Sequence, residues 1–402
     1  MKPTFVIVAG LFTVYMGLGV LNPLLAPLVR ELGLSETQGG LIITAAAMMF
    51  ALGSPFWGGR SERWGRKPVL LIGLLGFSLG YGAFALAAQL GLREALAPTA
   101  AFVVLVLARA LAGFLMGGVP VSALAFVADT TSGPERTAGI ALLGAANGLG
   151  FIAGPALGAG LASFGLLAPL YAAAVLPLVA AALVALRLPH TPPRARDASL
   201  PRLRPTDPRI WPWLLVGYTI IVGLMGVQVT AGFLFQDRLG LTPQQTVQTL
   251  GVALVTTGVA NLVAQLGIIR AFRVPPLTLL RVGLPLAVAG FAILIVATTL
   301  PLLILSFVVA GLGLGLALPG YTAAATLEVA GHEQGAVAGL TTSAQGFGAM
   351  TGPLLATSLY QLRPEYPYLL TCSLLALVAA AVWLSPRLRR IAALSRRPAA
   401  AD

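Results

Sequence analysis

Charge is what this chain has least of. Only 9% of its 402 residues are Asp, Glu, Lys or Arg. A water-soluble chain carries about a quarter, so water is the wrong solvent for most of this surface. Histidine is scarcer still: His190 lies in a Pro/Arg-rich segment and His332 in a loop between apolar runs. Cys372 is the single cysteine, which excludes an intrachain disulfide, a CxxC pair and a thiolate metal cluster, and it reads as inert packing. All thirteen carboxylates can be placed outside the middle of the apolar runs. Intramembrane hydrolysis needs a nucleophile–base pair or metal ligands at depth, and those residue types are missing there. Nothing resembles a Walker loop, so ATP does not drive the chain directly. Neither cofactor nor metal is expected.

What is present is apolar, at 57% of residues. Charge and Pro/Gly clusters divide the chain into twelve stretches, at 4–29, 38–59, 68–90, 98–128, 136–163, 165–187, 211–236, 243–269, 275–298, 301–326, 334–361 and 366–385. Most reach or exceed the roughly 20 residues that span a bilayer core. Backbone groups in lipid must be satisfied within the segment, which predicts helices, and the runs are too long for barrel strands. The first stretch is too long for a signal-peptide core, contains Pro23 and Pro27, and counts as the first span.

Basic residues set the expected orientation. With the N-terminus inside, cytoplasmic segments and helix ends hold 20 of the 25 Lys and Arg, and the opposite side holds only Arg30, Arg93, Arg238 and Arg363. Arg109 alone lies within a span. This positive-inside bias predicts that both termini are cytoplasmic. The net charge of +12 is then mainly a topology signal, with anionic lipid as a secondary partner and nucleic acid set aside.

Residues 188–210, rich in Pro and Arg, read as a linker between two halves, 1–187 and 211–386, with a basic tail at 387–402. The halves repeat weakly. Glu135 with Gly154-Pro155 recurs as Glu333 with Gly352-Pro353, and NGLGFIAGPALG (147–158) aligns with QGFGAMTGPLLA (345–356). Transporters built from two bundles show such repeats.

The loop after the second stretch reads GGRSERWGRK, Gly58 to Lys67. It resembles the signature loop of the major facilitator superfamily. Gly58, Arg63, Gly65, Arg66 and Lys67 match, while Glu62 stands where the family usually has aspartate. Gly58 is expected to permit close helix approach and Gly65 a tight turn. Glu62 is expected against a helix N-terminus of the other bundle, and Arg66 against a carboxylate ending the fourth span. By resemblance that carboxylate is Asp129. The resemblance implies an all-α membrane protein with 12 transmembrane helices in two six-helix bundles, rocking about a central site.

Arg109 lies about 16 Å along its helix, counted from Pro98, near the bilayer middle, where charge is costly and usually functional. In the family an Arg-x-x-x-Gly element here is linked to proton transfer, and Arg109 with Gly113 fits it; the alternative is an arginine that binds backbone carbonyls between helices. In the fifth span Gly144, Gly148, Gly150, Gly154, Pro155 and Gly158 offer close packing and a kink. They resemble the Gly-Pro motif of the drug:proton antiporter branch, as GLGVLNPLLAPLVREL (17–32) resembles its first span. One departure is Val14, near a position where that branch often carries an acid. The proton-coupling candidates are therefore Arg109, Asp129 and Glu62.

Substrate-cavity candidates are Tyr15, Asn22, Met48, Met49 and Asn147 in the first half, and Gln228, Asn261, Gln265, Tyr321 and Gln345 in the second. Each has a second reading as a group satisfying a neighbouring helix. The expected function is alternating-access transport in the inner (cytoplasmic) membrane, with proton-coupled efflux of lipophilic or amphipathic small molecules. The partners are a small-molecule substrate, protons and the bilayer, and a monomer is expected. The alternatives are a sugar or organic-acid symporter, an uncoupled facilitator, or a non-transporting receptor on the same fold.

Overall fold

The computed structural model describes residues 3–189, 203–272, 274–330 and 333–384. Most of the expected linker and the whole basic tail lie outside the described residues. Every regular element among them is helical, as backbone crossing lipid requires. The first seven are α1 (Pro3–Glu31), α2 (Glu36–Trp64), α3 (Arg66–Leu92), α4 (Pro98–Met116), α5 (Gly118–Thr130), α6 (Gly133–Leu161) and α7 (Ala168–Arg187). There follow α8 (Trp211–Leu239), α9 (Pro243–Leu262), α10 (Arg270–Phe272), α11 (Pro276–Val296), α12 (Leu300–Leu327), α13 (Gln334–Leu362) and α14 (Tyr366–Leu384).

These elements follow the twelve expected stretches, with two refinements. The fourth stretch is interrupted at Gly117, where the Trp57 indole donates to the Phe114 carbonyl at 2.8 Å. A side chain inserted at a helix carbonyl is a recognised cause of a break. The eighth runs from α9 through a π-helical segment, Val263–Ile269, into α10. Eleven of the twelve runs are long and apolar enough to cross a membrane. The exception, α13, matches α1 in length but is studded with Thr, Ser, Gln and Gly. Leu79, Leu107 and Leu377 stand more than 60% exposed, as side chains facing lipid do.

The helix starts are written locally. Ser35 and Gln38 form a capping box before α2, with Gln38 N–H donating to Ser35 Oγ at 3.3 Å and Ser35 N–H to Gln38 Oε1 at 2.8 Å. Thr242 and Gln245 repeat that box before α9. Proline opens α4, α6, α7, α11 and α12, where its missing N–H costs nothing.

Two compact units divide the chain. One holds the described residues of 1–198 together with 228–255, and the other those of 199–227 and 256–402. In the first, α1 packs on α6 and α7, while α3 packs on α4 and α7. Gly154 and Gly150 bring α6 against α1: a methyl group on Gly154 would lie 2.6 Å from the Gly19 Cα, and one on Gly150 2.8 Å from the Tyr15 Cβ. In the second unit Gly348 and Gly352 press α13 onto α8, with a methyl reaching the Tyr218 and Val222 carbonyls at 2.8 and 2.6 Å. The weak sequence repeat is therefore a repeat of helix contacts. Gly158 meets Pro23, but Gly144 and Gly148 face open space and take no part in packing.

Candidate functional site

The signature loop is short and tightly held. α2 ends at Trp64 and α3 begins at Arg66, so Gly65 alone makes the turn, at φ 89° and ψ 166°. That conformation is closed to side-chain-bearing residues without strain. Arg66 is 8% exposed. Its Nε donates to Asp129 Oδ2 at 2.9 Å and its Nη1 to Ser61 Oγ at 3.1 Å, and Ser61 also accepts from Ser122 at 3.1 Å. Lys67 Nζ donates to the carbonyls of Ala185 and Leu188 at 2.8 and 2.7 Å. It thus places a cation on the negative end of α7. One turn ties α2, α3, α5 and α7 together.

Other residues of the loop behave differently. Glu62 and Arg63 make no hydrogen bond or ion pair among the described residues. Arg60 lies over the rings of Phe56 and Trp64, at 5.1 and 4.9 Å. Gly58 is not where the helices meet most closely, since a methyl there would touch Val121 at an ordinary 3.4 Å. Closest approach belongs to Gly53, against the Phe114 carbonyl of α4, and to Gly113 and Gly117, against the Ala46 carbonyl and Ser54 amide of α2.

Arg109 is 3% exposed and has no carboxylate partner among the described residues. Its guanidinium lies 4.9 Å from the centre of the Tyr81 ring, and its Nε is buried without an acceptor. Tyr81 stacks on Phe77 and donates to the Gly17 carbonyl at 2.8 Å. The arginine is thus held by a ring, and it binds no backbone carbonyl among the described residues.

The polar cavity candidates mostly satisfy one another. Asn22 Nδ2 donates to Gln228 Oε1 at 3.3 Å, Gln265 Nε2 to Asn261 Oδ1 at 2.6 Å, and Gln345 to the buried Tyr321 hydroxyl. Asn147 alone of the amides makes no hydrogen bond among the described residues. Tyr15 rests against Phe151, with ring centres 5.5 Å apart. Met48 is exposed and Met49 half-buried. Asn261 and Gln265 straddle the start of the π-helical segment; such segments are frequent at functional sites.

A second charged cluster lies at the other end of α2 and has no counterpart among the expected site residues. Arg30 binds Asp237 through two hydrogen-bonding arms, at 2.7 and 3.0 Å. It also reaches Glu36 at 3.5 Å and Gln236 at 3.4 Å, and lies over Phe233 at 5.2 Å. The ends of α1 and α8 and the start of α2 meet here. Opposite charges at equivalent ends of repeated helices were the available signal. The second unit carries its own ionic tie: Arg209 binds Asp207 at 2.9 Å and Glu333 at 3.1 Å. Hydrogen bonds to Asp207 and then Glu333 raise its pKa and keep it charged.

This architecture and loop define a family of solute carriers. The profile of the Major Facilitator Superfamily matches residues 7–345 and 273–400, and the chain belongs to that superfamily. It is therefore a multi-pass membrane protein and a secondary transporter of small molecules, not an enzyme. Among similar proteins is the quinolone resistance protein NorA of Staphylococcus aureus (strain MSSA476), 24% identical over 375 residues that cover 91% of this chain and 92% of NorA. Multidrug resistance protein 2 of Bacillus subtilis (strain 168) is 25% identical over 386 residues, covering 92% and 91%. The fold is shared with a bacterial homologue of the human lysosomal transporter Spinster, at a TM-score of 0.75 and 14% identity over 99% of this chain and 98% of the other. It is shared too with the human organic anion transporter MFSD10, at 0.66 and 22% over 94% and 98%.

Proposed function

We propose that this chain exports lipophilic or amphipathic small molecules across the cytoplasmic membrane in exchange for protons, acting as a monomer with both termini inside. The observation that carries this reading is the likeness to two bacterial drug-resistance proteins, which spans nine-tenths of each chain. The candidate residues are amides, tyrosines and methionines, side chains that suit such solutes. On this reading the bundles are 1–187 and 211–386, joined through 188–210.

The Gly58–Lys67 loop acts as the cytoplasmic latch. Arg66 and Asp129 hold it through a charge-assisted bond, and Glu62, without a partner among the described residues, is the arm free to engage a helix N-terminus. Arg30 and Asp237 form the opposing latch. Asp129, Glu62 and Arg109 are the proton-coupling candidates.

Purified protein in liposomes tests the proposal. Lipophilic cations and neutral drugs should accumulate when a pH gradient is imposed and equilibrate when it is not. Equilibration regardless of the gradient would identify a facilitator. No flux of any drug, with flux of a sugar or organic acid, would replace efflux by uptake.

A further inference from the structure

Arg281, in the second unit, has an aromatic partner and no anion among the described residues. Arg281 lies five residues into α11, and Trp383 is the penultimate residue of the antiparallel α14. The guanidinium lies 5.4 Å from the Trp383 ring centre, and the indole N–H donates to the Arg281 carbonyl at 3.2 Å. Arg281 Nε is buried with no acceptor, and its side chain makes no ion pair or hydrogen bond among the described residues. Glu328, just past the end of α12, borders a groove with Arg209, Trp211 and Trp213 instead. Around the cation the surface is greasy: Val282 and Trp383 are each 51% exposed, and Leu377 and Leu384 each 68%.

A fixed positive charge with no counter-charge among the described residues, set among exposed apolar side chains near the ends of two spans, can draw its anion from the bilayer. We propose that Arg281 and Trp383 form a binding site for the phosphate headgroup of an anionic phospholipid. The guanidinium fork matches two phosphate oxygens. The tryptophan holds it from behind at the depth where indoles settle, between hydrocarbon and headgroups. The exposed leucines and valine receive the upper acyl chain. Free phosphate fits less well, since the approach runs through apolar side chains and not through water.

Native mass spectrometry of the full chain tests this, with phosphatidylglycerol and phosphatidylcholine offered in equal amounts. Wild type should retain phosphatidylglycerol preferentially, and Arg281→Gln should lower that preference by about five-fold. Arg281→Lys should keep most of it, Trp383→Leu should lose part, and Arg93→Gln should change nothing. An Arg281→Gln protein that keeps the wild-type preference would overturn the site, as would equal retention of the two lipids by wild type. Displacement of the lipid by millimolar inorganic phosphate would overturn the lipid assignment. Thermal unfolding in phosphatidylcholine alone should be the same for Arg281→Lys and wild type, so that a folding defect is not read as lost lipid.

Discussion

Asp129 is a single carboxylate with one strong partner, and its removal is informative. Asp129→Asn keeps the shape and leaves the Arg66 guanidinium, 8% exposed, facing a weaker acceptor. Stability should fall by about 1–2 kcal/mol, read as a lower unfolding temperature in detergent, and transport should slow. Unchanged transport would remove the latch from the mechanism. Gly65→Ala attacks the same turn through the backbone, because φ 89° with ψ 166° is nearly closed to alanine. The strain is of order 1–3 kcal/mol, and the variant should show it in thermal unfolding even though no side-chain contact is lost. Arg66 and Gly65 were legible in the sequence, because the loop has a fixed spacing and a residue type for each task, and Asp129 was named through the family resemblance alone. Gly58 was legible as part of the motif and misread as to mechanism: the close helix approach belongs to Gly53, Gly113 and Gly117, a matter of helical phase that spacing alone does not fix.

Helices in a membrane gain little from hiding apolar surface, so association depends on close backbone approach. The α1–α6 and α8–α13 pairs show where that approach occurs. Gly154→Val should cost about 1–3 kcal/mol by forcing the pair apart, and Gly352→Val should do the same in the second unit. Gly148→Ala, in the same helix as Gly154 but facing open space, should leave unfolding unchanged or raise its midpoint. If Gly148→Ala and Gly154→Val proved equally harmful, close packing of α6 on α1 would not be what the glycines supply. From sequence, all the glycines of α6 looked alike, because each has a small neighbour three or four residues away; only Gly150, Gly154 and Gly158 face α1 or its prolines.

The two halves of the sequence are built alike. Capping boxes precede α2 and α9, and paired glycines seat α6 on α1 and α13 on α8. If Arg66–Asp129 and Arg30–Asp237 act as opposing latches, weakening each should bias the transporter in opposite directions. Arg30 and Asp237 are 31% and 36% exposed as side chains. Arg30→Gln should therefore cost only about 0.2–1 kcal/mol, enough to shift a balanced two-state population by up to about five-fold. Spin labels at the ends of α1 and α8 should report a longer distance in Arg30→Gln and an unchanged or shorter one in Asp129→Asn. Equal shifts in the two variants would rule out opposition.

The sequence by itself determined the helices, their number and the repeat. Each follows from a local rule: apolar length against bilayer thickness, a capping residue, or a proline at a helix start. It also marked Arg109 as buried, because an arginine in a 31-residue apolar run has nowhere else to be. Tertiary structure decided the partners. Asn22 finds Gln228, Arg30 finds Asp237, and Arg109 finds the Tyr81 ring and no acid among the described residues. Such pairings join residues up to 207 positions apart, and they depend on the rotation of each helix about its axis. A run of apolar side chains with almost no polar face leaves that rotation unspecified, and only the packing of small residues against particular backbone atoms sets it.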